Sequence, residues 1–439
     1  MMNPRTATIA LALSLTGTAL AGNTNDWIVA EGDWTNPANW SNGSVPTTSE
    51  IGIIANGGHA HIMHQDIELS SMILGTTIGG RLGFGGFSQY GGSTTIGGQS
   101  TITIGRNEGV NGHLTLYDGA QMTATNGLTV GHEGHGIANI TDGSIVEFGE
   151  LRVAGFRSIP NRTFTGSGFL EVAGEGSLIR MTDKNAPEGM TIGAGGSAIV
   201  HIRDGGRIET TNGLLLSTTA QGSKLIIEGP DSSLQVSGDF FDTGRDITLP
   251  DDHPPVGDAV LTLRDGGTLD ASNTSRAMTL FSQTRIEGTG TLMGNAYFYQ
   301  GSTIDPGEHN EYGHLTFTHQ LDSVLEFNTS VTGGTFHFDI GSTTDFDRLS
   351  VYDLIAGGTL DVAIADDFIA EYGQTFDIIN ADTLTGDFDL IELPELDGSL
   401  FFEADIHAQG VTLHVVPAPA TLITFAFMTL ISPRRNRAI

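Results

Sequence analysis

The sequence predicts an all-β protein: a right-handed parallel β-helix, or solenoid, followed by a C-terminal β-rich domain. Three observations predict it. Short runs of Ile, Leu, Val and Phe alternate with polar residues along most of the chain, which is the period of a strand with one buried face. Turn residues punctuate these runs, with 61 glycines among 439 residues. A unit of strand, turn and strand returns every 24 to 34 residues, as from Asp118 to Asp142. Such a unit is too small to bury its own apolar face, so stacking must supply the core. Outside the two chain ends, no run of ten residues reads as a helix.

Taken in order, residues 1–21 read as a secretory signal peptide. Arg5 precedes an apolar stretch from Ala7 to Leu20, and Ala19-Leu20-Ala21 supplies the small residues of a cleavage site before Gly22. Residues 22–44 hold all three tryptophans, Trp27, Trp34 and Trp40. They could stack on a sugar, but an open first coil exposes apolar core and unpaired strand edges, so a cap is the better expectation.

Residues 45–285 carry the repeats. Six strands end in a related turn, at Asp118-Gly119, Asp142-Gly143, Ala173-Gly174, Asp204-Gly205, Glu228-Gly229 and Asp265-Gly266. The acid of such a turn bonds nearby backbone and the glycine supplies a positive φ, so Asp118, Gly119, Asp142, Gly143, Asp204, Gly205, Asp265 and Gly266 are expected to be structural. A second theme ends strands at glycine: Ile104-Gly105, Val130-Gly131, Val153-Ala154-Gly155 and Ile192-Gly193. A β-sandwich of hairpins would explain the alternation but not this fixed order of turn and glycine. One coil per repeat gives about eight to ten coils. Residues 286–415 form an acidic C-terminal β-domain. Between Ile286 and Pro433 there are 23 Asp and Glu against one Arg, Arg348, and no Lys.

Composition excludes several functions. The net charge is −32, and Lys184 and Lys224 are the only lysines. Such a surface repels nucleic acid and anionic lipid and keeps a protein soluble in salt. With no cysteine, no disulfide supports the fold.

No constellation of catalytic or metal-binding residues emerges, and no cofactor is expected. In a strand, His59 and His61 share a face while His64 does not, and Asp66 is near, but no third ligand has suitable spacing. His132-Glu133-Gly134-His135 is one residue short of the zinc-protease pattern and reads as a coil corner. Asp118 and Asp142 could lie about 5 Å apart in adjacent coils. Their recurrence as turn residues makes scaffold the simpler account than a glycosidase carboxylate pair. The chain is therefore expected not to be an enzyme.

The tail is the most specific signal. Val416-Pro417-Ala418-Pro419 precedes an apolar run, Ala420 to Ile431, and a basic stop at Arg434, Arg435 and Arg437. Twelve helical residues reach roughly 18 Å, short of a hydrocarbon core of about 30 Å, which suits transient anchoring. Residues 416–439 resemble the PEP-CTERM sorting signal of Gram-negative bacteria, whose usual Val-Pro-Glu-Pro has Ala418 in place of Glu here. Gly32-Asp33-Trp34-Thr35-Asn36-Pro37-Ala38-Asn39-Trp40 with Val45-Pro46 is similar to the opening of repeat-rich secreted proteins of that group. Gly288 to Asn295 with Ile304-Asp305-Pro306-Gly307 resembles the passenger repeat of autotransporter-like β-helices, and Asp347 to Val351, Gly358 to Val362, Gly373 to Ile379 and Gly386-Asp387-Phe388 resemble their terminal β-region.

This resemblance implies export through the inner membrane of a Gram-negative-type envelope to the cell surface or beyond. It also implies an exosortase-like membrane protease as a partner. No C-terminal membrane barrel is legible, so self-secretion is not expected. The expected role is structural or adhesive, in contact with extracellular polysaccharide or other cell-surface proteins. The alternatives are a polysaccharide-active β-helix lyase or hydrolase, and a cation-binding surface-layer component.

Overall fold

The computed structural model describes residues 23–418, apart from 98–100, 156–165, 184–188, 194, 217–221, 240, 244–257, 282, 309–310, 324–332 and 397. Ala19 and Ala21 of the expected cleavage site lie outside the described residues, as do Pro419 and Arg434, Arg435 and Arg437 of the tail. The protein is a parallel β-solenoid. A coil has three faces: in one coil Asn111–Tyr117 lies on the first, and Gln121–Val130 supplies the second with 121–124 and the third with 127–130. Along the stack, strands pair in parallel with their counterparts one coil later.

The first face shows the stack most completely. It starts at Glu31–Asp33, passes through Gly58–Met63, Gly85–Tyr90 and Asn111–Tyr117, and ends at Leu390–Glu392. Thirteen successive parallel pairings join its strands. At a strand spacing of about 4.8 Å this makes a rod of roughly 60 Å. Eight of these strands lie within residues 45–285. The ladder then crosses Arg285 and Ile286 in unbroken register, Leu261 to Ile286 to Ile304.

Alternation puts one side chain in two into the core. On the first face Phe87, Leu114, Ala138, Leu170, Val200 and Leu225 stack in register, each within 0% exposure. On the third face Met72, Ile102, Leu128, Leu151, Met190 and Leu214 do the same. Fully burying one such side chain is worth about 1.5–3 kcal/mol, and in a stack each buries against the coils on both sides.

Both ends of the core are closed. At the start, Trp27, Trp34 and Trp40 are buried and pack edge to face, with Trp34 and Trp40 centroids 4.5 Å apart. Trp34 rests on Phe87 of the stack. The Asp33-to-Trp40 segment closes on itself: Asp33 accepts from the Thr35 N–H and hydroxyl, Asn36 caps a short 3-10 turn at Pro37–Asn39, and Trp40 Nε1 donates to the Trp34 carbonyl. Buried rings offer no face to a sugar. At the other end the pairing turns antiparallel. Leu400–His407 and Gly410–Pro417 form a hairpin whose second strand runs against Thr375–Gly386. No helix among the described residues is long and apolar enough to cross a membrane.

The turn at the end of each first-face strand has one geometric requirement. Register places His64, Gly91, Asp118, Asp142, Gly174, Asp204, Gly229 and Asp265 at the same corner of successive coils. All eight have positive φ, between 48° and 96°. Where Asp occupies the corner, the following Gly119, Gly143, Gly205 and Gly266 are left-handed too. Two consecutive left-handed residues explain the Asp-Gly pair, since Asp tolerates that region and Gly is free in it. In three coils glycine itself takes the corner, at Gly91, Gly174 and Gly229, and the last two sit one position earlier than the sequence alignment of the turns suggests.

The second glycine theme has a different cause. Gly75, Gly105, Gly131 and Gly193 follow third-face strands with φ of 67–76°, and each runs against a neighbouring coil. A Cβ on Gly131 would sit 1.9 Å from the Ser167 carbonyl oxygen, whereas one on Gly119 would meet nothing within 4 Å. These two environments predict different mutational costs. Asp118→Asn should leave stability within about 0.5 kcal/mol, Asp118→Val should cost about 1–2 kcal/mol through left-handed strain, and Gly131→Ala should cost about 3 kcal/mol or more through backbone overlap. Chemical denaturation of the three variants checks the order.

Candidate functional site

Outward side chains of one coil stand directly over those of the next, so polar residues form straight columns. Several are ladders of opposite charge. Arg180 bridges Glu147 at 3.0 Å and Glu209 at 2.8 Å, one coil to either side. Arg203 pairs with Glu171 at 2.6 Å, and Arg264 pairs with Glu308 and lies 3.8 Å from Glu228. Such exposed pairs contribute little singly, but here each also fixes the register between coils.

Among the described residues, a dense cluster of titratable groups lies on the first face near its end. Register lines up Glu287, Asp305, His337, Asp361 and Glu392 in one column. His337 Nδ1 is 2.7 Å from Asp361 and its Nε2 is 3.6 Å from Asp339, its neighbour two along the same strand. Asp305 is buried and paired to Arg285. Beneath them Asp347, also buried, accepts from the backbone N–H groups of Gly313 and Asp339, both at 2.8 Å.

The electrostatics follow from this placement. Asp339, Asp361 and Asp305 outweigh burial and hold the proton on His337 up to about pH 9. Burial raises Asp305 above the ordinary carboxylate range against the pull of Arg285, and it pushes Asp347 up to about 7 against the two N–H donors. Ligand-type atoms of Asp305, His337 and Asp339 lie within 4.8 Å of one another, a spacing that can accommodate a metal ion. Arg285 and the His337 proton already supply positive charge at that point, so the cluster holds together as an internal ion-pair network.

The histidines singled out from sequence fall into place without converging on one point. His59 and His61 do face outward together from Gly58–Met63, while His64 is the first left-handed corner residue. The His59 ring lies over Gly86, where a Cβ would come within 2.3 Å of it, and its Nε2 meets Ser88 Oγ at 2.8 Å. His113, two coils on, meets Asn139 at 3.2 Å. Burial lowers the pKa of both rings. His132 to His135 spans a corner, with His132 on the Arg106 carbonyl and His135 on Ser167. Asp118 and Asp142 are indeed neighbours, and the Gly119 N–H donates to the Asp142 carbonyl at 2.9 Å.

Sequence reasoning missed the His337 cluster. Phe336-His337-Phe338-Asp339 was readable as a strand with both polar side chains on one face. Asp305 and Asp361 were not readable as partners, because the coil lengths that align them vary. No protein-family model matches the chain, and no curated protein matches it in sequence.

A pH dependence follows. The folded pKa of His337 exceeds its ordinary value of 6.5, so its stabilisation is complete below about pH 6.5 and is lost as pH rises through about 9. Asp347 is raised as well, so folding loses stability from it between about pH 4 and 7 and nothing further above. Thermal unfolding of the wild type should therefore fall between pH 7 and 9, and His337→Gln should flatten that limb. An equal fall in the variant would show that another group controls it.

Proposed function

We propose that this chain is an exported, surface-directed rod with a structural or adhesive role in the extracellular matrix, delivered by its C-terminal signal. The observation that supports this best is the unbroken stack. Thirteen coil-to-coil pairings on one face present outward side chains at a regular spacing over roughly 60 Å, which suits repeated weak contacts with a polymer better than enclosure of one small substrate. The acidic surface favours solubility in salt and disfavours nucleic acid.

The end of the folded body agrees with a sorting role for the tail. Val416 pairs with Phe401, Pro417 with Leu400, and the Ala418 N–H donates to the Ser399 carbonyl at 2.7 Å. The last strand thus ends inside the Val-Pro-Ala-Pro motif. An exosortase-like protease is the partner in this reading, with the apolar run and the arginines holding the chain in the membrane until cleavage.

Fractionation of the native cells with mass spectrometry of the recovered protein tests the proposal. It should be found outside the inner membrane, beginning near Gly22 and lacking Arg434 to Ile439. Extracellular protein that still ends at Ile439 would contradict sorting by cleavage, and protein confined to the cytosol would contradict export altogether.

A further inference from the structure

Between residues 286 and 433 the chain has a single Arg and no Lys, against 23 acids. That residue, Arg348, would be expected to pair with one of them. It does not: among the described residues no carboxylate lies within 4.0 Å of its guanidinium, although Arg152, Arg180, Arg203, Arg264, Arg276 and Arg285 all have such partners. Instead the guanidinium carbon of Arg348 sits over the Phe346 ring, 4.3 Å from its centroid. Phe346 is nearly buried and is held edge to face against Phe376. A cation–π contact holds the guanidinium over the ring without consuming its N–H donors.

Arg348 lines a groove of about 440 Å³ on the second face, beside the closing hairpin. The floor comes from the last coils, where Arg348 stands next to His314 and Ser350 next to Asn380. The far wall is the hairpin, with His407, Gln409 and Thr412. His314 is committed to Ser350 at 2.7 Å, and Asp377 accepts from the Thr412 hydroxyl at 2.7 Å. The side-chain amides of Asn380 and Gln409 have no hydrogen-bond partner among the described residues, so each brings an open donor and an open acceptor to the groove. Arg348 and Asn380 are one strand and two residues apart, roughly 8 Å, about the span of a sugar ring with its substituents.

We infer that this groove binds a uronic-acid residue of an acidic polysaccharide, with the carboxylate on Arg348 and ring hydroxyls on Asn380, Gln409 and Asp377. One guanidinium in an acidic surface matches a single negative charge. A phosphate monoester, with its further charge, would meet Asp377 with no second cation to offset it. A neutral sugar would leave the guanidinium edges unused. Asp377 accepts hydroxyl donors and repels a second anion, which orients the ring in one direction. In taking the ligand from a matrix polysaccharide, the inference rests on the proposed surface role. The groove itself does not depend on that role.

Calorimetric titration of the purified protein tests it, using a galacturonic-acid trisaccharide, its methyl ester and a neutral trisaccharide of the same linkage. The acid should bind, and the ester and the neutral sugar should bind at least about tenfold more weakly, since only the charge-assisted contact is removed. Arg348→Gln should weaken acid binding by roughly tenfold to a hundredfold, and Arg81→Gln, remote from the groove, should not. Equal binding of acid and ester, no binding of the acid at millimolar concentration, or undiminished binding by a folded Arg348→Gln would each overturn the groove assignment. Should Arg348→Gln fail to fold, the acid-to-ester ratio on the wild type still decides. A protein that is exported and processed but does not bind would refute this inference alone, whereas binding by a protein never exported would refute only the surface role.

Discussion

Every other feature of this protein depends on the parallel hydrogen-bonded register between consecutive coils. A single coil of 24 to 34 residues leaves the backbone groups of its strands unpaired on both sides and cannot enclose its own leucines and isoleucines. Stacked, each coil satisfies its neighbours' N–H and C=O groups and covers their apolar side chains. Stability therefore resides in the interfaces between coils, and the two terminal coils are the exposed places. Both are treated differently from the interior. Three buried tryptophans close the start, and an antiparallel hairpin covers the second face at the end. On the first face the stack finishes with Leu390–Glu392, a short exposed strand with an acid in it, the kind of edge that resists joining a further chain.

The register also dictates where the chain must be unusual. A corner that recurs in eight coils needs a left-handed residue each time, and the chain meets that need with four aspartates, three glycines and one histidine. The third-face glycines answer a second constraint, the approach of one coil's backbone to the next. Ala154 follows Val153 at that position with φ of 58°, so the left-handed conformation is not confined to glycine there. Charge obeys the same geometry. Ion pairs run along columns, as Glu147, Arg180 and Glu209 do, because the neighbour within hydrogen-bonding reach is usually one coil away and not in the same strand.

This geometry explains what could be read from the sequence. Alternation and turn residues are local, so the parallel solenoid was legible, and the Asp-Gly pairs already pointed to the left-handed backbone found at Asp118, Asp142, Asp204 and Asp265. The corner role of Gly174 and Gly229 was not, because only the stack shows which of two adjacent residues occupies the corner. His337 and Asp339 share a strand face and could be paired by eye, yet Asp305 and Asp361 come from coils on either side, 32 and 24 residues away. Arg348 was conspicuous as the lone basic residue in an acidic region. Its groove was invisible, because the wall at His407 to Thr412 comes from a hairpin that folds back over the last coils. Local patterns survive in one dimension, whereas sites assembled across coils of unequal length do not.

The register can be measured directly, because a chain without cysteine accepts a pair of spin labels at chosen sites. Thr95, Thr123, Glu147, Arg180, Glu209, Gln235, Asp270 and Met293 occupy one column of the second face. Pulsed electron-spin distances from a cysteine at Thr95 to one at Gln235, five coils away, should centre near about 24 Å, and to one at Met293, seven coils away, near about 34 Å. Narrow distributions that lengthen by one strand spacing per coil would establish the stack. A Met293 distance no longer than that to Gln235 would contradict it.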